Sequence, residues 1–211
     1  MKKILFIFFL FTTNIIFCQT SEDAKKLLDK VSIKISSYKN IFFDFTYSLN
    51  NKEEQIKQET IGNITVSGDK YKLSYLGTIQ LFDGKKTYTI VPENEEITIS
   101  NTDNENENNI NPAKLLSFYK SGYNYSLDIK QKYLNKTIQF IKLMPIEKNS
   151  ELNYLLLGID INSKDIFRLI EIGKNKTITT LTIKNQKTNL KLEESFFSIN
   201  LKNYSDYFIN N

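Results

Sequence analysis

The chain has 211 residues, with 28 basic against 24 acidic side chains, and it contains no His and a single Cys. The basic residues are spread along the chain and are almost all Lys, so they do not form the concentrated basic face that nucleic-acid partners require. Without His, and without Cys once the N-terminal segment that carries the one Cys is removed, His- or Cys-based metal centres, Ser-His-Asp triads and thiol nucleophiles are excluded. We therefore expect a protein that is not an enzyme and that needs no metal or cofactor.

The N-terminus has the pattern of a secretory signal peptide. Met1-Lys2-Lys3 is followed by an apolar run over 4–11 and by a second apolar stretch that ends at Phe17-Cys18-Gln19. A short positive start and a hydrophobic stretch too brief to span a bilayer are typical of such a signal. We predict a signal peptide over 1–18, cleaved after Cys18, and a single domain over 19–211. Alternatively, Cys18 is lipidated, although that modification normally needs a small residue where Phe17 stands.

An amphipathic helix is predicted directly after the signal. Thr20 and Ser21 can cap it, and apolar residues then recur every three or four positions up to Lys39. The apolar stripe consists of Ala24, Leu28, Val31, Ile35 and Tyr38.

From residue 40 onwards the apolar period changes to two. Phe43, Phe45, Tyr47 and Leu49 alternate with polar residues, which indicates a strand with one apolar face. Further strands are predicted at 57–66, 70–76, 78–83, 86–91 and 95–100, separated by short turns. Because tight turns join antiparallel neighbours, these strands form an antiparallel meander.

A polar, acidic segment over 101–111 is predicted to be an exposed loop. A second short helix starts at Pro112, carries Leu115 and Leu116, and ends before Gly122. More strands follow at 123–131, 136–144, 152–162, 165–173 and 176–184, with a final extended piece near 197–201.

About eleven strands with two helices predict a mostly β (α+β) fold. An open twisted sheet rarely exceeds about ten strands without curling. A wide barrel or half-barrel tends to enclose a cavity. We therefore expect an incomplete antiparallel β-barrel with amphipathic helices over a hydrophobic cavity.

The remaining chemistry favours binding over catalysis. The carboxylate pairs Glu53-Glu54, Glu95-Glu96 and Glu193-Glu194 lie in polar, turn-like contexts and are interpreted as surface charge. The chain has 15 Phe and 12 Tyr, many at alternating strand positions. These rings either fill a core or line an apolar site, and alternation alone does not distinguish the two.

The order of segments resembles the outer-membrane lipoprotein carrier proteins, LolA. The resemblance covers about residues 21–200 and rests on order and spacing: Leu27-Leu28-Asp29-Lys30-Val31, Asp44-Phe45-Thr46-Tyr47, Gly62-Asn63-Ile64-Thr65-Val66, Phe82-Asp83-Gly84-Lys85-Lys86-Thr87-Tyr88, Pro92-Glu93-Asn94-Glu95-Glu96-Ile97, a lid-like helix over 112–118 and closing hairpins over 160–183. Turns such as Ser67-Gly68-Asp69-Lys70 are similar to those of the Bacteroidetes-type relatives.

The resemblance implies a monomeric periplasmic carrier that takes lipoproteins from the inner to the outer membrane. Its partners would be acylated lipoproteins and the inner-membrane lipoprotein-releasing ABC transporter, and no separate outer-membrane acceptor is assigned. The acyl chains would lie against a hydrophobic lining made of Leu28, Val31, Ile35, Phe43, Phe45, Tyr47, Tyr71, Leu73, Tyr75, Tyr88, Ile90, Ile97, Ile99, Leu115 and Leu116.

Three alternatives to the carrier remain open. The first is a related envelope lipid- or glycolipid-binding protein. An outer-membrane-anchored lipoprotein acceptor is the second, and it requires lipidation of Cys18. A scaffold module with a filled interior is the third.

Overall fold

The structure, a computed structural model, describes residues 13–101 and 117–210 of the chain. Within this part the chain is mostly β, with one α-helix and twelve strands. The prediction of a mostly β fold with antiparallel strands is confirmed. The elements are α1 (Thr13–Ser36), β1 (Ile41–Asn51), β2 (Ile56–Ser67), β3 (Lys70–Tyr75), β4 (Thr78–Phe82), β5 (Lys86–Val91), β6 (Glu96–Asn101), β7 (Tyr123–Tyr133), β8 (Lys136–Pro145), β9 (Leu152–Asp160), β10 (Ile166–Gly173), β11 (Ile178–Thr188) and β12 (Phe208–Asn210).

The chain divides into two compact units. In the described part, the first unit comprises residues 13–34 and 119–178, and the second comprises 35–101, 117–118 and 179–210. The expectation of a single domain over 19–211 stays a prediction.

Helix α1 follows the predicted apolar stripe but not the predicted ends. Ala24, Leu28 and Val31 are buried, as the period of 3.6 indicates. The helix covers Thr13–Ser36, so Thr20 and Ser21 lie inside it and do not cap it. No Pro or Gly interrupts the sequence between Thr13 and Ser21, and helical hydrogen bonding therefore continues through them.

The sheet of the second unit runs in the order β12-β6-β5-β4-β3-β2-β1-β11. Strands β1 to β6 pair with their sequence neighbours in antiparallel register, which confirms the predicted meander. In the first unit β10, β9, β8 and β7 form a second antiparallel meander. Neither run of described strands closes on itself within its unit.

The C-terminal segment differs from its prediction. Two 3₁₀ turns, Glu194–Phe197 and Leu201–Tyr204, include the two ends of the expected extended piece at 197–201, whereas Ser198 and Asn200 between them have extended backbone but form no strand. The strand comes later, as β12, which pairs parallel with β6 through three residues. So short a strand shows no alternation, and its sequence therefore did not predict it.

Part of the prediction concerns residues that the structure does not describe. The acidic loop 101–111 and the helix starting at Pro112, with Leu115 and Leu116, lie outside the described residues except for Asn101 at the end of β6. In the described part that follows, Phe118–Lys120 is a 3₁₀ turn.

Candidate functional site

One face of the second unit's sheet carries a continuous group of aromatic and apolar side chains. Strand pairing places Phe45 opposite Gly62, and Gly62 opposite Tyr75. Paired residues of a sheet point to the same face, and every second residue of each strand joins them. We call this the aromatic face, and it carries Phe43, Phe45, Tyr47, Tyr71, Leu73 and Tyr75, all of which were predicted as site residues.

The rings of this face are in mutual contact. The Phe43 and Phe45 centroids lie 6.3 Å apart with the rings at 63°, and the Phe45 and Tyr75 centroids lie 6.1 Å apart. Tyr47 meets Tyr75 edge-on at 5.6 Å and 83°. Edge-to-face and tilted pairs at these distances are favourable, so the rings form a pre-organised apolar surface.

The residues of the aromatic face differ in how deeply they are buried. Phe43, Phe45 and Tyr71 are buried, whereas Tyr47 and Tyr75 are half-buried. Burial raises the pKa of the Tyr75 hydroxyl, and the neighbouring Tyr47 raises it further. The Tyr75 hydroxyl is therefore neutral at physiological pH and adds no charge to this surface.

The aromatic face becomes partly polar at strand β4, where Phe82 lies opposite Tyr71 with the two ring centroids 5.8 Å apart, but Gln80 lies opposite Leu73. The row that starts with Leu73 continues through Gln80, Thr89 and Thr98 on the three following strands. The Tyr71 hydroxyl lies 3.1 Å from Gln80 Oε1 and donates a hydrogen bond to it. The apolar part thus covers β1, β2 and β3 and includes Phe82 of β4, and Gln80, Thr89 and Thr98 form its polar border.

Four of the predicted lining residues lie on the opposite face of the same sheet. The register joins Ile79, Ile90 and Ile97 in one row and Leu81, Tyr88 and Ile99 in the next. Tyr88, Ile90, Ile97 and Ile99 therefore do not belong to the aromatic face. Alternation shows which residues of one strand share a face. Only the register between strands determines whether the apolar faces of neighbouring strands lie on the same side of the sheet.

The C-terminal segment packs on that opposite face. Lys72, which points to this side, has its Nζ 5.3 Å from the centroid of the Phe196 ring. Ile209 of β12 pairs beside Ile97, which is fully buried. The C-terminal segment thus contacts Lys72 on this face, and its strand β12 extends the sheet beside β6.

The helical members of the predicted site are divided between the two units. Leu28 and Val31 are buried in the first unit, whereas Ile35 is half-buried and belongs to the second. Near them in the first unit, burial raises the pKa of the Tyr119 hydroxyl to about 12, and the charge of Asp29 contributes to the rise. Leu115 and Leu116 lie outside the described residues.

The first unit has an apolar face of its own that the predicted site omitted. Strand pairing places Tyr125, Leu143, Leu155 and Glu171 in one row. Burial raises the pKa of the Glu171 carboxyl. The pKa of the Tyr123 hydroxyl is also raised, mainly by burial and to a lesser extent by the charge of Glu171. We call this the leucine face, and it carries Tyr125, Leu127, Ile141, Leu143, Leu155, Leu157, Leu169 and Glu171. The alternation of Tyr123, Tyr125 and Leu127 was the signal that could have identified it.

Neither face carries an arrangement for metal-dependent chemistry. Among the described residues, no group of three or more His, Cys, Asp or Glu side chains is placed to hold a metal ion. No helix in the described part is long and apolar enough to cross a membrane.

These features define the class as a mostly β protein that, in its described residues, has one α-helix and extended apolar faces on antiparallel, unclosed sheets. A family model described as outer membrane lipoprotein carrier protein LolA matches residues 14–168. The chain belongs to this family.

The chain is also similar to solved structures. An uncharacterized conserved protein from Thermus thermophilus matches with a TM-score of 0.56 at 11% identity, over 89% of this chain and 98% of that one. A putative outer membrane lipoprotein-sorting protein domain from Vibrio parahaemolyticus matches with a TM-score of 0.48 at 12% identity, over 84% and 97%. LprF from Mycobacterium bovis matches with a TM-score of 0.49 at 12% identity, over 83% and 98%. Of these three, the Thermus thermophilus match supports the fold, since its TM-score exceeds 0.5. No curated protein sequence matches the chain.

Proposed function

We propose that this protein is a periplasmic carrier that binds the acyl chains of lipoproteins and takes them from the inner to the outer membrane. The observation that carries the proposal is the aromatic face, where contacting rings on β1 and β3 form an uncharged surface with a polar border. Membership of the lipoprotein carrier family supports it.

The energetics of lipid transfer explain why such a surface is useful. Each CH₂ group moved from a membrane into water costs about 0.8 kcal/mol, so one long acyl chain costs on the order of 10 kcal/mol. A lipoprotein therefore needs an apolar surface to cross an aqueous compartment. Tyr47, Leu73 and Tyr75, the half-buried residues of the aromatic face, supply such a surface.

Release in this proposal needs no bond to be made or broken by the carrier. The aromatic face holds Tyr hydroxyls and hydrocarbon groups, which bind acyl chains without covalent chemistry. Cargo leaves when a more apolar acceptor is presented. The cargo would be loaded by an inner-membrane lipoprotein-releasing ABC transporter, with the carrier acting as a monomer after removal of residues 1–18.

A lipopeptide-binding measurement tests the proposal. A fluorescent tri-acylated peptide should bind the purified protein, and Leu73→Asp should weaken binding about tenfold or more, which corresponds to about 1.4 kcal/mol. The reason is that a carboxylate would be placed on an apolar surface that the acyl chain must cover.

Ser74→Asp provides the matched control, since Ser74 is the next residue of β3 and points to the opposite face. It should leave binding close to the wild-type value. Equal weakening by both substitutions, or lipopeptide binding by neither the wild type nor the variants, would contradict the proposal.

A further inference from the structure

The hairpin between β7 and β8 ends in an exposed apolar residue. Leu134 has 89% of its surface exposed, the largest fraction among the large hydrophobic side chains of the described residues. Its φ of 53° lies in the left-handed region, where a residue with a side chain is less stable than glycine. Tyr133, which precedes it, is 39% exposed. The tip thus presents an apolar side chain to solvent at a strained backbone position.

Cationic side chains surround this tip. Lys130 and Lys132 lie on β7, and Lys136 starts β8 directly opposite Tyr133. The Arg168 guanidinium lies 5.8 Å from the centroid of the Tyr133 ring, and the Lys136 ammonium lies 5.6 Å from that of Phe167. The aromatic rings thus hold two of the cations close to the tip.

The turn between β9 and β10 adds further charged side chains to this end of the first unit. The Ile161 N–H donates to the Thr137 carbonyl at 2.9 Å, which places the turn beside the start of β8. The turn carries Lys164, and its Asp165 pairs with Lys34 of α1 at 2.6 Å.

Few acidic groups offset these cations. Asp160 is buried and accepts a hydrogen bond from the Asn162 N–H, and Asp128 accepts one from the Ile129 N–H. Counting Asp165 as well, three carboxylates face six cations at this end of the unit. The net charge of the side chains around the exposed Leu134 is therefore positive.

The hairpin between β1 and β2 shows that this combination is not a general property of the hairpins. Its apolar residue Ile56 is 39% exposed. It lies beside Lys52 and Lys57, but also beside Glu53 and Glu54 in the same turn. Its charge is mixed, so it is a natural comparison for the β7–β8 hairpin.

We propose that the β7–β8 hairpin docks the protein on an anionic phospholipid surface. Leu134 enters the boundary between headgroups and acyl chains, and Tyr133 lies at the headgroup level, where its ring and hydroxyl are both accommodated. Lys130, Lys132 and Lys136 contact the lipid phosphates, which attract cations near such a surface. One inserted leucine with a few cations gives weak, reversible attachment.

Vesicle binding tests this inference directly. The protein is mixed with vesicles of phosphatidylcholine alone or of phosphatidylcholine with phosphatidylglycerol, and the bound fraction is measured by sedimentation. Binding is expected to the anionic vesicles and should decrease as salt is added, because salt screens exposed charges. Leu134→Asn and the double substitution Lys130→Glu with Lys132→Glu should each reduce the bound fraction severalfold.

The control variant is Ile56→Asn, which should leave vesicle binding unchanged. All variants share the N-terminal apolar segment with the wild type, so its own contribution to vesicle binding cancels between them. Asn tolerates a positive φ, and Leu134→Asn should therefore fold normally and keep the wild-type affinity for lipopeptide. This last measurement separates a failure of membrane docking from a failure of the carrier proposal.

A second measurement uses the fluorescence of an introduced Trp, since the chain contains no Trp of its own. Leu134→Trp introduces a single indole, whose emission should shift to shorter wavelength on adding anionic vesicles, whereas that of Ile56→Trp should not shift. Absent binding to anionic vesicles, an equal effect of Leu134→Asn on binding to neutral vesicles, or a Leu134→Asn variant that binds anionic vesicles as tightly as the wild type would each overturn the inference.

Discussion

The ring of Phe45 on β1 lies directly over Gly62 on β2. A Cβ atom at Gly62 would be 2.5 Å from Cζ of Phe45 and 2.7 Å from the carbonyl oxygen of Ser74. The first unit repeats the arrangement, since a Cβ at Gly158 would be 2.8 Å from Cε1 of Phe140. In each case an aromatic ring covers a glycine on the paired strand, which compensates for the weak intrinsic preference of glycine for sheets.

Gly62→Ala should therefore disturb the aromatic face. The added methyl group collides with the Phe45 ring and with backbone that cannot move far, and overpacking of this kind costs about 1–3 kcal/mol. Urea unfolding should show this loss of stability, and lipopeptide affinity should fall because the Phe45 ring is displaced.

Asn63→Ala is the control for Gly62→Ala, because Asn63 is exposed on the neighbouring position of β2. Its stability should stay within about 0.5 kcal/mol of the wild type. The double variant Gly62→Ala with Phe45→Leu should recover part of the stability, since the smaller side chain leaves room for the methyl group. A fully stable Gly62→Ala single variant would contradict the packing described here.

The ion pair between Lys34 and Asp165 should hold the end of α1 against the β9–β10 turn within the first unit. The Lys34 ammonium lies 2.6 Å from Asp165 Oδ1 and 2.5 Å from the Ser163 carbonyl oxygen, and the two side chains are only 29% and 31% exposed. Lys34→Met should cost about 1–2 kcal/mol of unfolding free energy, because it leaves a partly buried carboxylate without this cation.

Lys25→Met is the matched variant on the same helix. Lys25 pairs with Asp29 at 2.8 Å, but the two side chains are 58% and 56% exposed. Exposed pairs of this kind contribute little to stability, because water and salt screen the two charges. Chemical denaturation of both variants should rank Lys34→Met as clearly the less stable, and the reverse ranking would count against a structural role for the Lys34 pair.

Asp83 should make the second unit sensitive to acid. Burial acts to raise the pKa of its carboxyl, but the backbone N–H groups of Lys86 and Lys85, the Tyr88 hydroxyl and the Lys70 ammonium together lower it below the ordinary value of 3.8. A carboxyl with a depressed folded pKa stabilises the protein above its unfolded pKa, and this contribution is lost as the pH falls through the folded value.

Asp83→Asn should accordingly be less stable than the wild type at pH 7, and the difference should shrink as the pH falls below about 3.8. Urea denaturation across this range measures it. Asp69→Asn, in the exposed turn between β2 and β3, should stay close to the wild type at pH 7. A difference between Asp83→Asn and the wild type that is independent of pH would exclude the carboxylate charge as its cause.

Glu171 should have the opposite pH dependence. Burial on the leucine face raises its pKa above the ordinary value of 4.5, so the folded state favours the protonated carboxyl. The ionised form is thus destabilising at pH 7, and this penalty disappears as the pH falls below 4.5.

Glu171→Gln should therefore stabilise the protein at pH 7 and have little effect at pH 4 or below, as measured by thermal unfolding. Glu147→Gln, at an exposed position after β8, should change the melting temperature little at either pH. Destabilisation by Glu171→Gln at pH 7 would show that the ionised carboxylate has a favourable partner.

Much of the aromatic face could be predicted from local sequence. The alternation through Phe43, Phe45 and Tyr47 and through Tyr71, Leu73 and Tyr75 predicted both the strands and the shared direction of their side chains. This works because successive side chains of a strand point to opposite faces, whatever the strand pairs with. The stripe Ala24, Leu28 and Val31 was predictable for the same kind of reason, from the helical period.

The tertiary structure decided which apolar strand faces belong together. Tyr88, Ile90, Ile97 and Ile99 alternate as regularly as the residues of β1, yet the register from β3 to β6 turns them to the other side of the sheet. A shift of one residue in any turn would reverse that outcome, and alternation within a strand carries no information about it.

Contacts between residues far apart in the sequence likewise could not be predicted from local sequence patterns. The Phe45 ring over Gly62, the carboxyl-poor surroundings of the exposed Leu134 and the burial of Glu171 each depend on which strands become neighbours. Local periodicity determines the direction of a side chain, whereas its partners are determined by strand pairing, which joins residues far apart in the chain.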